Sequence, residues 1–125
     1  MSFSKSLQVG DYIADEINKE ARALGINLLN GLTRVTPVDT GRARGNWFVG
    51  ISGPVRTIDN NRKATSAVIE GVNTINSAKA IEYPEIVISN NLPYIERLND
   101  GYSTQAPKKF VENEIDRVVR ATNVR

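Results

Sequence analysis

Carboxylates are the side chains of this sequence best suited to acid–base chemistry, because the chain contains no His and no Cys. That composition removes imidazole catalysis, thiolate nucleophiles, disulfide bonds and the zinc sites built from those ligands. An enzyme of this kind would need two carboxylates that act as acid and base. The acidic candidates are Asp15, Glu16, Asp39, Asp59, Glu96, Asp100, Glu112, Glu114 and Asp116.

None of these positions predicts a catalytic or metal site. The clusters Asp15–Glu16 and Glu112–Asp116 lie in helical segments that also contain Lys and Arg, so we interpret them as solvated helix faces. The turn around Asp59 lacks the Gly and the distal Glu of a calcium loop. We therefore expect that the protein is not an enzyme and that it holds no metal and no cofactor.

The strongest periodic pattern predicts a long N-terminal helix. Its apolar stripe, with steps of three or four residues, consists of Ile13, Ile17, Ala21, Leu24, Leu28, Leu32 and Val35. Asp11 is suited to the helix start, with Ser4 as an earlier candidate, and Pro37 ends the helix. Gly25 and Gly31 each cost about 1 kcal/mol relative to Ala, so the stripe must pack, and one glycine is a candidate for close approach. A helix of roughly 24 residues rises about 36 Å, which is long for so small a domain.

Two extended segments predict a small sheet. In Trp47–Ile51 alternate residues, beginning with Trp47, face the core, and Phe48 lies on the opposite face. Glu85–Ser89 is a β-branched run that we expect to pair with this first strand. Val55–Ile58 could continue the first strand after a kink or form another short one.

Two further helices are predicted. The apolar positions of the first, over about Thr65–Ser77, are Val68, Val72 and Ile75, although Gly71 weakens it. The segment that begins at Leu92 has no clean period, and we expect a loop there that makes functional or intermolecular contacts. A second amphipathic helix follows, with Pro107 in its first turn.

Together these elements predict one α+β domain that spans residues 1–125, in which a long N-terminal helix and a C-terminal helix pack on a small, mainly antiparallel sheet. No apolar run reaches the roughly 18–20 residues that span a bilayer, and the N-terminus lacks the apolar region of a secretory signal. We expect no membrane association and a cytosolic location, unless the protein leaves the cell within a larger particle.

A mild positive charge keeps DNA binding as an alternative hypothesis. The net charge is +2 and the sequence pI is near 9.0, which permits binding to phosphates without requiring it. The cations that such a module would use are Arg34, Arg42, Arg44, Lys108 and Lys109. Trp47 begins an alternating apolar series, so we interpret it as a core residue rather than a platform for stacking on bases.

The connection between the helix and the first strand has an identifying sequence. Residues 36–47, Thr-Pro-Val-Asp-Thr-Gly-Arg-Ala-Arg-Gly-Asn-Trp, resemble the Pro-Val-Asp-Thr-Gly-x-Leu-Arg pattern of tailed-phage tail-completion and head–tail joining proteins, the group similar to the lambdoid minor tail protein Z. Residues 88–107 are similar to that family's strand, Pro-Tyr, acidic residue, Gly and Ala-Pro series before a C-terminal helix. Ala43 stands where the family usually carries Leu, and residues 53–83 match nothing position by position.

The resemblance implies a virion structural protein at the head-proximal end of a phage tail. Its copies are expected to form a ring, a hexamer, that completes the tail and joins it to the head connector. The implied partners are its own copies, the tail tube or terminator protein, and the head connector protein, while DNA passes through the lumen without specific binding. The implied location is the virion, with host cytoplasm during assembly. A tail terminator that caps tube length is the alternative within this class.

The resemblance also implies interface residues in two regions. The first region comprises Asp39, Thr40, Gly41, Arg42 and Arg44, which shape the loop after the helix. The second comprises Tyr94, Glu96, Tyr102 and Gln105. We expect these residues to contact another subunit or a partner, and none of them to act as a catalytic group.

Overall fold

The structure, a computed structural model, describes residues 11–38, 41–81, 83–101 and 108–122, with side chains in the first helix described from Asn18 onward. Over these ranges the chain adopts an α+β fold, as the sequence predicts. The elements are helix α1 (Asp11–Val35), strand β1 (Trp47–Ile51), helix α2 (Ala64–Ser77), strand β2 (Ile86–Asn90), helix α3 (Ile95–Asn99) and helix α4 (Phe110–Thr122).

Helix α1 is central, since α2, α4 and both strands all contact it. The predicted stripe is buried from Ala21 to Leu32, with Leu24, Leu28 and Leu32 at most 6% exposed, and Val35 is half-buried. Its first members, Ile13 and Ile17, lie outside the described side chains. Leu29, which the stripe does not include, is also fully buried, because α2 approaches α1 from a second side. The helix ends at Val35, ahead of Pro37, as predicted.

Strands β1 and β2 pair in antiparallel register, with Trp47 opposite Asn90. This confirms the predicted sheet, although β2 lies one residue later than expected. Trp47 has no exposed surface, and Phe48 on the opposite face is half-buried. Every residue of β2 is buried, so both faces of this strand are covered.

The segment after β1 covers one face of β2 without forming a strand. The prediction of a strand at Val55–Ile58 is wrong, because the carbonyl groups of this segment accept hydrogen bonds from side chains instead. Ser89 Oγ donates to the Val55 carbonyl at 2.9 Å. Asn91 Nδ2 donates to the same oxygen at 2.7 Å and to the Thr57 carbonyl at 3.3 Å.

Helix α2 is present as predicted, and its buried face matches the predicted one only at Ile75. Its buried residues are Ala67, Gly71 and Ile75. Val68 and Val72, which the sequence analysis placed on the buried face, are only half-buried. A Cβ on Gly71 would overlap Leu29 Cδ2, so this glycine allows α2 to approach α1 closely.

Two corrections concern the segment that leads into α4. The short helix α3 occupies part of the predicted loop, and α4 begins at Phe110, later than expected; Pro107 lies outside the described residues. Lys109 has a φ of +61°, which is not helical, so the helix starts only after it. Asn99 Oδ1 accepts the Val111 N–H at 2.9 Å and thereby caps α4 from the end of α3.

Candidate interface at the helix-to-strand turn

Two buried side chains fix the turn between α1 and β1 to the end of the helix. The indole N–H of Trp47 donates to Thr36 Oγ1 at 2.8 Å, and Thr36 Oγ1 donates to the Leu32 carbonyl at 2.5 Å. Trp47 and Thr36 have no exposed surface. Because a buried indole N–H needs an acceptor, Thr36 satisfies Trp47 while it joins the turn to α1.

Arg44 caps the carboxyl end of α1. Its Nε donates to the Thr36 carbonyl at 2.6 Å, and its Nη2 donates to the Arg34 carbonyl at 2.8 Å. The last carbonyl groups of a helix lack intrahelical partners and carry the negative end of its dipole. A guanidinium there donates hydrogen bonds to these carbonyl groups and places a positive charge beside the dipole. Arg44 therefore has a structural role within its own subunit, while its predicted contact with another subunit stays a prediction.

Two asparagines, which the sequence analysis did not single out, connect the turn to the rest of the fold. Asn46 Nδ2 donates to the carbonyl groups of Arg42 and Asp59 at 2.7 and 2.9 Å, and its Oδ1 accepts the Asp59 N–H at 2.9 Å. Asn90 Nδ2 donates to the Ala43 carbonyl at 2.9 Å. Their positions within the two motif segments are the signal that could have identified them. These buried amides therefore tie the turn to the segment at Asp59 and to the end of β2.

The two segments that carry the resemblance meet at Arg42 and Tyr94. The Arg42 Cζ lies 5.6 Å from the centroid of the Tyr94 ring, within the range of a cation–π contact. Arg42 Nε also donates to Asn60 Oδ1 at 2.7 Å. Gly41, one position earlier, has a φ of +70°, a left-handed conformation that favours glycine. The sequence predicts two contact regions, and the structure places them side by side.

The remaining predicted interface residues are placed only in part. Glu96 is exposed on α3, two positions after Tyr94. Arg42 and Tyr94 are both half-buried, so each retains some surface for a partner. The other members, Asp39, Thr40, Tyr102 and Gln105, lie outside the described residues.

Arg62 holds the same turn from the opposite side, and no sequence pattern indicated it. Its side chain is only 6% exposed and pairs with Glu70, with Nε and Oε2 2.6 Å apart. Its Nη1 donates to the Trp47 carbonyl at 2.8 Å and to the Gly45 carbonyl at 3.2 Å. The guanidinium lies 3.9 Å from the centroid of the Phe48 ring. A Cβ on Gly45 would overlap the Arg62 carbonyl oxygen, so only glycine fits there.

A second group of charges lies where α4 packs on α1. Glu114 is 4% exposed, so the interpretation of the Glu112–Asp116 cluster as a solvated face is wrong for this residue. Gly31 is the reason, because a Cβ there would overlap Glu114 Oε2 and leave no room for the carboxylate. The close approach expected of one glycine in α1 is therefore made at Gly31.

Two arginines compensate the buried carboxylate of Glu114. Arg117 binds both oxygens, with Nε 2.9 Å from Oε1 and Nη2 2.6 Å from Oε2, and Arg34 Nη2 lies 3.2 Å from Oε2. The hydrogen bond from Arg117, aided by the charges of both arginines, holds the pKa of the Glu114 carboxyl below its ordinary value of 4.5, although burial acts in the opposite direction. The carboxylate is therefore ionised at neutral pH.

Over the described ranges, no group of three or more acidic residues is placed to hold a metal ion. None of the helices that the structure describes combines the length and apolar character needed to cross a membrane. Comparison of the chain with family models, with curated proteins and with solved structures found no match.

Proposed function

We propose that this protein is a structural subunit at the head-proximal end of a phage tail, where its copies form a ring that completes the tail and joins it to the head connector. The observation that carries the proposal is the contact between the two motif segments. Arg42 stacks on Tyr94, and Asn90 bonds to Ala43 from 47 positions away in sequence. The antiparallel pairing of β1 with β2 brings the two segments together, so both contribute to one surface.

The composition of this surface suits a protein interface. Arg and Tyr are enriched at the centres of interfaces, because each combines a large apolar area with hydrogen-bonding groups. Val38, in the same turn, exposes 46% of its surface to solvent. The backbone beneath is held by Asn46 and Arg62, so little conformational freedom is lost on binding. These features support contact with a neighbouring subunit, the tail tube or terminator, or the head connector.

Electron microscopy of particles assembled without this protein tests the proposal. We expect filled heads and tails of normal length that do not join. Tails of abnormal length would instead assign the protein to tube termination. Normal virions in its absence would contradict both roles.

The internal contacts of the arginines weigh against the DNA-binding alternative. Three of its five cations have internal partners, since Arg44 binds carbonyl groups of the turn, Arg34 binds Glu114 and Arg42 binds Asn60. DNA is expected to pass through the lumen of the ring without specific binding, because tight binding would obstruct its exit. Duplex affinity measured over a range of salt concentrations checks this. Submicromolar binding by a monomer that weakens steeply with salt would overturn the assembly proposal.

A further inference from the structure

An open groove with a volume of 1010 Å³ runs along α1, between the first half of α2 and the second half of α4. Its floor is a stripe of α1. Over residues 21–35 of that helix, the exposed positions are Ala23, Asn27, Asn30 and Arg34, and all four line the groove. Because they recur every three or four residues, they form one continuous strip of helix surface. The groove therefore lies between three helices and follows the axis of the longest.

The centre of the groove is uncharged. Asn27 and Asn30 lie on the floor, and Val68 belongs to the wall that α2 contributes. The exposed side of α4 outside the groove has a different composition and consists of Glu112, Asn113, Asp116 and Arg120. Charged residues are depleted at the centre of protein interfaces and common on surfaces that face only water. The composition of the groove is therefore that of an interface.

An apolar side chain in the wall of the groove is left in water. Ile69 of α2 exposes 63% of its surface, which is unfavourable for so large an apolar group. Val68 beside it is only half-buried. An apolar side chain docked in the groove would cover both.

The two ends of the groove carry opposite charges. Arg34, Arg44 and Arg117 line one end, and the buried Glu114 offsets one of these three positive charges. The side chains of Arg34 and Arg117 remain 64% and 59% exposed. Glu20 lines the other end, fourteen positions before Arg34, which places it about 21 Å away along the helix axis. An occupant that is acidic at the arginine end is therefore favoured.

The dimensions of the groove match those of a helix. From Ala23 to Arg34 the floor extends about 16 Å, which is about three helical turns. A helix of that length and about 10 Å in diameter occupies roughly 1300 Å³, most of which the 1010 Å³ of the groove accommodates. An amphipathic helix that lies in an apolar groove, with anchors at every third or fourth position, is a recurring mode of recognition.

The described part of the chain contains no helix that fits this groove. Its exposed large apolar side chains are Val38, Ile58, Ile69 and Ile81. Of these, Ile69 alone lies in a helix, and it lines the groove itself. We propose that the groove binds an acidic amphipathic helix of about three turns from a different protein. Its apolar residues cover Ile69, and its carboxylates lie beside Arg34 and Arg117.

The preference for an acidic helix follows from the shape and the charge of the groove. That the helix belongs to a tail protein or to the head connector protein rests on the proposed function. The tests below keep these two claims apart.

A designed peptide tests the preference with the purified protein. The probe is a fluorescent, Ala-rich peptide of about 16 residues, with Leu at every third or fourth position and Glu in its first turn. A matched peptide carries Lys instead of Glu. In fluorescence anisotropy, we expect the Glu peptide to bind about tenfold more tightly than the Lys peptide at low salt. The difference should shrink as salt is added, because the arginines are exposed. Equal affinities, or no binding of the Glu peptide, overturn the proposal.

Two Trp variants show whether the peptide binds in the groove. Ala121 of α4 is exposed and lines the groove, so Ala121→Trp should fill part of it and weaken binding of the Glu peptide about tenfold or more. Ala80→Trp is the matched control, because Ala80 is also exposed and does not line the groove. Unchanged circular dichroism shows that both variants fold. Equal affinities of the two variants for the peptide overturn the proposal.

Photo-cross-linking identifies the natural occupant, because the chain has no Cys and a single introduced thiol takes all the label. Thr65→Cys, at an exposed position that lines the groove, is labelled with a benzophenone maleimide. The labelled protein is added to heads and tails made without it and is irradiated. We expect mass spectrometry to find the cross-link in a tail or connector segment that carries carboxylates and apolar residues at helical spacing.

The matched control for the cross-link is Thr57→Cys, at an exposed position that does not line the groove. It should not label that segment. A cross-link from position 65 to another copy of this chain, or equal labelling of the same segment from both positions, overturns the proposal.

The outcomes separate the groove from the function. Binding of the Glu peptide in the groove, together with normal virions in the absence of the protein, would retain the groove and overturn the joining role. Heads and tails that fail to join without the protein, together with no binding of the Glu peptide, would overturn the groove and retain the joining role.

Discussion

At the scale of single residues, the two glycines of α1 differ in whether the neighbouring atoms leave room for a side chain. Gly25 and Gly31 have the same intrinsic cost within a helix, so sequence alone treats them alike. In the fold they differ, because a Cβ at Gly25 would meet Ile75 and Ile86 at 3.4 Å, an ordinary contact, whereas a Cβ at Gly31 would overlap Glu114. Only Gly31 is required by its surroundings.

Gly31→Ala should lower the free energy of unfolding by about 1–3 kcal/mol, because the added methyl group displaces a carboxylate held by two arginines. That loss outweighs the gain of about 1 kcal/mol in helix propensity. Gly25→Ala is the control and should be neutral or stabilising by up to about 1 kcal/mol. Urea unfolding followed by circular dichroism measures both. Equal stabilisation by the two substitutions would show that Gly31 and Glu114 are not in contact.

Glu114 should make stability depend on pH in the acid range. Its pKa is lowered in the folded state, chiefly by the hydrogen bond from Arg117, so ionised Glu114 stabilises the fold above the unfolded pKa and that contribution is lost as pH falls through the folded pKa. We expect the difference in unfolding free energy between wild type and Glu114→Gln to have its largest value at pH 7. It should begin to shrink near the ordinary value of 4.5 and vanish in stronger acid.

The matched control for this titration is Asp116→Asn, on the same helix. Asp116 and its partner Arg120 have side chains that are 59% and 79% exposed, so solvent screens their attraction. Asp116→Asn should therefore change the free energy of unfolding little at every pH. A difference between wild type and Glu114→Gln that grows as the pH falls would contradict the assigned ion pairs.

At the scale of elements, much of the fold followed from local patterns, and the failures have physical causes. The stripe of α1 and the alternation of β1 were predictable because each repeats the period of its element against one core. The buried face of α2 was predicted only at Ile75, because the rest of this face depends on Gly71, which allows close approach only where Leu29 of α1 lies opposite. Helix α3 has five residues, too few for a period to be visible.

The candidate site was predictable to a similar extent. Arg42 and Tyr94 were identified separately, but their contact depends on the pairing of β1 with β2, which sets the distance between the motif segments. Arg62 gave no signal because its role depends on two carbonyl groups of the turn and on the Phe48 ring. Every residue type has a backbone carbonyl, so the sequence does not show which carbonyl groups will accept a hydrogen bond from a side chain.

The cap that α3 provides for α4 gives a prediction at this scale. Asn99 accepts the Val111 N–H and donates to both oxygens of Glu112, at 2.7 and 3.0 Å. Asn99→Ala should therefore lower the free energy of unfolding by about 0.5–2 kcal/mol, as loss of a helix cap does. Asn113→Ala, an exposed position on the same helix, should change it little. Equal effects in urea unfolding would show that Asn99 does not cap α4.

At the scale of the whole molecule, the surface at Arg42 and Tyr94 lies at the turn that follows α1, where the start of β1 pairs with the end of β2. In the proposed ring this surface would occur once per subunit and would be available to the head connector or the tail.

Arg42→Ala should impair joining without unfolding the protein. The substitution removes the stacking on Tyr94 and the bond to Asn60, while the buried contacts of Asn46 with the backbone at position 42 remain. Truncation of a central interface arginine commonly costs more than 1 kcal/mol per contact, so we expect roughly tenfold fewer joined virions or worse. Arg56→Ala removes the same charge from an exposed loop position and should leave joining unchanged. Complementation of a phage that lacks the protein, scored by counting joined particles in micrographs, measures both; equal losses would show that net charge, rather than the Arg42 surface, controls joining.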